Sequence, residues 1–278
     1  MQQVSKVGIS PGAAREQAAF DAIADLYDRT MVRLFSPMTW KVVELAKAQE
    51  GDKVLDVATG TGSVALALAP IVRPTGFVIG VDVSQRMLDL ARNSADIRGI
   101  DNIDFMRRDA ASLARLPTNE FTIVTCGLSL QHFDEKEQAL KEMLRTLAPG
   151  GRLIVSVWGR SERNELETLL LPSLREGHPE LRSAYALGDE GVLESLLKGA
   201  GFRRIKTERV EGAFKFRSVA AFWDALQAMP GPRKAMEGLA PSDRAALEEK
   251  TSAVLAGRAT DEGIKVGYEA VYALARKP

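Results

Sequence analysis

The chain has 278 residues, 45% hydrophobic and 27% charged, an ordinary soluble composition long enough to bury a full core. Its 37 Lys and Arg balance its 37 Asp and Glu, which argues against a nucleic-acid partner and against a surface held on anionic lipid. A single cysteine excludes an intrachain disulfide, and two histidines, His132 and His178, argue against a metal site.

Residues 1–14 are small and polar around Pro11-Gly12 and are expected to be flexible. Met1–Lys6 lacks the apolar stretch of a signal peptide, and no run reaches membrane-spanning length, so a cytoplasmic protein with no membrane span is expected. From Arg15 to about Ala48 the spacing is helical. Phe20, Ile23, Ala24 and Tyr27 share a face, followed by Met31, Leu34 and Phe35, until Ser36-Pro37 breaks the pattern. Trp40, Val43, Leu45 and Ala46 carry the next helix. Val54-Leu55-Asp56-Val57 then predicts a strand, Ala58-Thr59-Gly60-Thr61-Gly62 a tight turn, and Ser63–Leu68 a helix start. Phe77–Val81 predicts a second strand ending in Asp82, and Ser84 caps a helix bearing Met87, Leu88 and Ala91. Ile103–Met106 leads to Asp109 and Ala110, and Phe121–Cys126 runs into Gly127, Leu128 and His132. A helical stripe of Leu140, Met143, Leu144 and Leu147 stops at Ala148-Pro149-Gly150-Gly151, before a fifth strand over Arg152–Trp158.

A polar loop, Gly159–Asn164, precedes a helical piece at Leu166–Leu174. Another helix, with Asp189 near its cap, buries Val192, Leu193, Leu196, Leu197 and Ala200 and stops at Gly201. Phe202–Phe216 reads as a sixth strand, and residues 218–258 as helices interrupted by Pro230-Gly231-Pro232 and Pro241. Tyr268–Ala275 is apolar on both faces and predicts a central closing strand. Strands alternating with helices give an α/β fold, a mostly parallel sheet covered on both faces. The division is 1–48 as a helical cap, 49–158 as the cofactor-binding core, and 159–278 as the rest of the sheet with a helical lid, one domain overall.

Gly60 and Gly62 carry no Cβ, so a ligand can lie against bare backbone there. Asp82 follows about 20 residues later, where an acid grips ribose hydroxyls in dinucleotide folds. The turn therefore points to an adenosine-containing cofactor. Gly60-Thr61-Gly62-Ser63-Val64-Ala65 also fits the nicotinamide variant of the motif, which leaves a nicotinamide oxidoreductase as an alternative. Asp56 opposes it, because a carboxylate so close to a pyrophosphate is unfavourable, whereas the ammonium of S-adenosylmethionine suits that charge.

VLDVATGTG, VIGVDVS, RRDA, CGLSLQHF and LAPGGRLIVSVW stand here in the order and spacing of the class I S-adenosylmethionine-dependent methyltransferases. The chain resembles them over roughly residues 15–160, most of all the branch with the ubiquinone/menaquinone-biosynthesis C-methyltransferases and small-molecule enzymes. Later, LGDEGVLESLLKGAGF is similar to the segment before that family's sixth strand. Ala58 departs from the first glycine that the family most often has, and the quinone enzymes' own downstream signatures are absent. The resemblance implies a Rossmann-like seven-stranded sheet with an antiparallel last strand and helical lid, and transfer of a methyl group to an O or C nucleophile of a small, fairly apolar molecule. It assigns Asp56 to the cofactor's amino end, Asp82 to the ribose, and Asp109 with Ala110 to the adenine edge. It places Tyr27 over the methionine carboxylate and adds Ala58, Thr59, Gly60, Gly62, Val83, Met87, Cys126 and Gly127 as cofactor contacts. A fold relative with altered, non-methylating chemistry is the other alternative.

Cys126 reads as a small buried hydrophobe lining the pocket rather than a nucleophile. His132 reads either as a general base for a phenol or enol, or as a helix-start residue packing on the lid. His178 reads as a loop residue. Trp158, Tyr185, Phe214, Phe216, Phe222 and Trp223 are candidates for an apolar acceptor pocket. The sequence sets no oligomeric state.

Overall fold

Near-continuous apolar runs pair as a parallel sheet because both of their faces must be covered. In the computed structural model, which describes residues 8–174 and 184–278, these are β1 (Lys53–Val57), β2 (Phe77–Asp82), β3 (Ile103–Arg107), β4 (Phe121–Gly127) and β5 (Leu147–Trp158). β6 (Arg203–Phe216) and β7 (Ile264–Arg276) complete seven strands in the order β3-β2-β1-β4-β5-β7-β6. β7 is antiparallel to both neighbours, and the closing strand is internal, as its two apolar faces predict. Strand order reverses between β1 and β4, which opens a crevice at their carboxyl ends.

On one face, α3 (Ser36–Ala46), α4 (Ser63–Val72) and α5 (Gln85–Ile97) bury Val43, Leu68 and Leu88 against Val54, Ile123 and Ile154. On the other, α6 (Lys136–Thr146) and α8 (Val192–Gly199), which follows α7 (Glu165–Leu174), bury Leu140, Met143 and Leu197 against Leu55, Val124 and Val155. A third cluster joins α2 (Ala24–Leu34), α9 (Val219–Gln227), α10 (Pro230–Glu237) and α11 (Pro241–Ala256) to the outer ends of β6 and β7 through Met31, Phe222, Met236, Leu247, Phe214 and Tyr268. This is the helical lid.

Several boundaries differ from the sequence reading. Pro11-Gly12 is not flexible coil but opens α1 (Pro11–Asp21): Ser10 Oγ accepts the Ala13 N–H at 3.2 Å, and proline suits the first turn. The run from Arg15 divides at Ala22-Ile23 into α1 and α2, and Ser36-Pro37 starts α3 rather than merely ending its predecessor. Pro230 and Pro241 likewise open α10 and α11. β5 begins at Leu147 because Phe121 pairs with it across a bulge. Val192, expected inside, is 39% exposed. The loop reading of His178 lies outside the described residues.

Candidate active site

A cavity of about 790 Å³ opens at the carboxyl ends of β1, β2 and β4 under α1, α2 and the start of α10. Asp56 lies beneath it, 2% exposed. Its Oδ1 accepts the Thr125 hydroxyl and its Oδ2 the Thr59 hydroxyl, each at 2.6 Å. Burial pushes its pKa up to about 6 against the pull of these hydroxyls, and the Asp82 charge adds to the rise.

The turn after β1 needs left-handed backbone at Ala58 (φ 55°), Gly60 (φ 56°) and Gly62 (φ 86°). Its two glycines do different work. A Cβ on Gly60 would meet nothing within 4 Å, and Gly60 lines the cavity with Ala58 and Thr59. A Cβ on Gly62 would sit 3.1 Å from Ala91 Cβ and 3.1 Å from Leu66 Cδ1. Gly62 is therefore a close-packing residue between α4 and α5 and lies outside the cavity lining, contrary to the sequence reading.

Asp82 joins the second strand to this turn, its Oδ2 accepting the Gly60 N–H at 2.8 Å and its Oδ1 the Ser84 N–H at 2.9 Å. Burial raises its pKa. Ser84 caps α5 through the Met87 N–H, and Val83 and Met87 line the cavity beside it. Asp109 accepts from the Ala111 N–H at 2.9 Å and from the Ser10 N–H at 3.0 Å, so the start of α1 rests on this acid, with Ala110 alongside. Asp21 accepts from Ser84 Oγ at 2.5 Å and holds the other end of α1 against α5. Tyr27 comes down from α2, and burial together with Asp82 pushes its phenol up to about 12, so it stays a donor.

Gly127 and Leu128 line the cavity after β4. Leu128 is left-handed (φ 49°), with its N–H shared by the Ser156 carbonyl at 2.9 Å and hydroxyl at 3.0 Å. Cys126 does not reach the cavity. Side chains alternate along a strand, and while Thr125 reaches Asp56, Cys126 packs fully buried on the opposite face, where burial and Asp56 push its thiol up.

His132 ends a 3₁₀ turn, Leu130–His132, and lines the cavity. Burial and the nearby Lys136 push it down to about 4, so the imidazole is neutral. It also packs on α1, edge to face with Phe20 at 5.8 Å. Of the six aromatic candidates, Trp158, Tyr185 and Phe214 line the cavity. Phe216, Phe222 and Trp223 do not: Phe216 packs on Phe222 at 5.3 Å behind the wall, and Trp223 Nε1 donates to Ser252 at 3.0 Å.

The sequence reading missed Thr61, Gln131, Glu16, Phe35 and Tyr268 as lining residues. Thr61 Oγ1 and Gln131 Oε1 are buried without a hydrogen-bond partner, a cost that a native interior seldom leaves unanswered. These orphaned oxygens, the bare Gly60 backbone and the acid at Asp56 fit a nucleoside with a cationic amino-acid tail. Among the described residues, no His, Cys, Asp and Glu cluster has a metal-holding arrangement, and no helix is long and apolar enough to cross a membrane.

Fold and site together are those of the class I S-adenosylmethionine-dependent methyltransferases. The ubiE/COQ5 methyltransferase family matches residues 11–169, and the chain belongs to that family. It is 38% identical over 139 residues to the ubiquinone/menaquinone biosynthesis C-methyltransferase UbiE of Pseudomonas entomophila (strain L48), which is 50% of this chain and 53% of that one. Over 204 residues it is 31% identical to UbiE of Pseudomonas putida (strain GB-1), covering 68% of this chain and 78% of that one. The match with the first relative thus spans about half of its length. In fold it is similar to phosphoethanolamine N-methyltransferase 2 of Haemonchus contortus, solved with phosphomonomethylethanolamine and S-adenosylhomocysteine. The TM-score is 0.60 at 17% identity, over 98% of this chain and 60% of that one.

Proposed function

We propose that the chain transfers the methyl group of S-adenosylmethionine to an oxygen or carbon nucleophile of a small, fairly apolar molecule, not to a nucleic acid. One observation carries this reading: a single cavity has the three acids Asp56, Asp82 and Asp109 at one end and Phe35, Trp158, Phe214 and Tyr268 at the other. The cofactor, when bound, supplies an electrophilic methyl carbon on a sulfonium.

The chain's own residues bind, align and exclude water. Asp56 takes the amino group, and the protonated Tyr27 phenol donates to the carboxylate. Asp82 takes the ribose hydroxyls through acceptor sites left over from Gly60 and Ser84, since an ionised carboxylate has about four. Asp109 uses its remaining sites for the adenine amine beside Ala110. Ala58, Thr59, Gly60, Val83, Met87 and Gly127 shape the cleft. The neutral His132 accepts a proton where the nucleophile carries one.

Purified protein is tested for S-adenosylhomocysteine formation with a panel of phenols, quinols and carboxylates. Turnover dependent on one apolar class supports the reading. Binding without transfer to any of the panel opposes it and favours altered chemistry on the same fold.

A further inference from the structure

We propose that Glu16, on the N-terminal helix α1, is a positioning residue that holds His132 with its proton on Nδ1, so that Nε2 faces the methyl acceptor as a bare proton acceptor. The proposal rests on the transfer reading above and adds to it a reason why the base belongs to the covered state of the cavity.

Glu16 Oε2 stands 3.7 Å from His132 Nδ1, and both residues line the cavity. That separation is an ion-pair distance that a small side-chain rotation turns into a hydrogen bond. Phe20 lies one helical turn beyond Glu16, and its ring meets the imidazole at an interplanar angle of 89°. One helix face therefore supplies both the acceptor for Nδ1–H and the surface that fixes the ring plane. Nε2 has no hydrogen-bond partner among the described residues.

The charges around the pair come from three elements. Arg15, on α1, is held by Asp134 at 2.7 Å. Lys136, at the start of α6, donates to the Phe133 carbonyl at 2.6 Å, and the charge of Lys234, on α10, acts on Glu16. Burial and Asp134 raise Glu16, while burial and Lys136 lower His132, so each partner is poorly placed to carry charge alone. An imidazolium beside an ionised Glu16 relieves both. In the proton step, the acceptor's O–H (or C–H) bond breaks, its electron pair stays on the nucleophile, and a new N–H bond forms at Nε2. The resulting cation is shared through Nδ1–H with Glu16. A carboxylate at the far ring nitrogen sets tautomer and orientation in this way.

Glu16 reaches His132 only from a docked α1. Docking depends on cofactor-side residues, through Ser10 to Asp109 at 3.0 Å and Asp21 to Ser84 at 2.5 Å. Proton acceptance is thereby assembled together with cover over the cofactor end.

The two histidines make this directly measurable. Protein with ¹⁵N-labelled histidine rings is recorded near pH 7.5, with a His178→Gln variant to assign the signals. Long-range proton–nitrogen correlations separate the tautomers. The wild type should show His132 protonated at Nδ1. Glu16→Leu should move most of the population to the Nε2–H form, which is intrinsically favoured. Glu16→Gln, which keeps an acceptor oxygen, should restore the Nδ1–H form, and S-adenosylhomocysteine affinity should stay within about twofold throughout. An Nε2–H form in the wild type, or a Glu16→Leu spectrum identical to wild type, overturns the proposal. These outcomes are independent of turnover, so absence of methyl transfer with the tautomer switch intact would count against the transfer reading alone.

Discussion

Asp82 Oδ2 accepts the Gly60 N–H at 2.8 Å, so the acid that ends β2 is tied to the turn that follows β1. The same carboxylate fixes the start of α5 through Ser84. A change at Asp82 thus removes a ligand contact and loosens the turn that presents bare backbone to the ligand. Asp82→Ala should weaken S-adenosylhomocysteine binding by about 2–3 kcal/mol, the worth of charged hydrogen bonds, or roughly 30–150-fold. Titration calorimetry reads this directly, and an affinity within twofold of wild type removes the ribose assignment.

Asp56 should make binding pH-dependent. Its pKa stands at about 6 in the folded protein against an ordinary 3.8. Between these values the folded chain holds a proton that the unfolded chain has lost, so stability falls as pH rises through the window. Above it the ionised Asp56 costs on the order of 2–3 kcal/mol. An ammonium ligand reverses this by favouring the charged form. Affinity should therefore drop by up to about tenfold per pH unit below pH 6. Asp56→Asn can keep both threonine hydrogen bonds with one hydroxyl reversed, so at pH 7.5 it should melt a few degrees higher while binding more weakly. A lower melting temperature with unchanged affinity contradicts this.

The two glycines should separate stability from binding. Gly60→Ala places a methyl in open cavity space and costs only left-handed strain, about 1 kcal/mol, while obstructing the ligand. Gly62→Ala adds a clash with Ala91 and Leu66 to the same strain and should cost about 2–4 kcal/mol. Chemical denaturation and calorimetry on both variants should give opposite orders of damage. Ala58 already bears the strain at φ 55°, so Ala58→Gly should be close to neutral, as relief offsets the entropy of glycine.

Cys126 should be inert. Fully buried, with its thiol held protonated, it should resist iodoacetamide at pH 8 in native protein and react on unfolding. Cys126→Ala should leave affinity for S-adenosylhomocysteine within about twofold and reduce stability by about 1 kcal/mol. Rapid native alkylation with loss of binding would put the thiol back in the cleft.

What was legible in the sequence follows from what local pattern encodes. Asp56, Asp82 and Asp109 are legible because each stands at the end of a strand-like run, and Ala58 because it departs from the glycine that the resembled family most often has. The sequence does not show which way Cys126 points, because β4 is apolar on both faces and such a run hides which parity faces the cleft. Gly62 looks like Gly60 in the sequence, because only the approach of α5 tells a packing glycine from a ligand-facing one. Phe20 and Tyr27 read as one apolar stripe, and helical periodicity does not separate a core wall from a cavity wall. Glu16 had no local signal: its meaning comes from His132, more than a hundred residues away.

The most direct measurement is calorimetric titration of the wild-type chain and of Asp56→Asn with S-adenosylhomocysteine at pH 7.5, with NAD as control. Saturable uptake of one equivalent by the wild type, a clear loss in the variant and no heat from NAD are the predicted results. Folded wild-type protein that takes up no S-adenosylhomocysteine, or that prefers NAD, would contradict the central claim that the acids at the strand ends hold a sulfonium nucleoside.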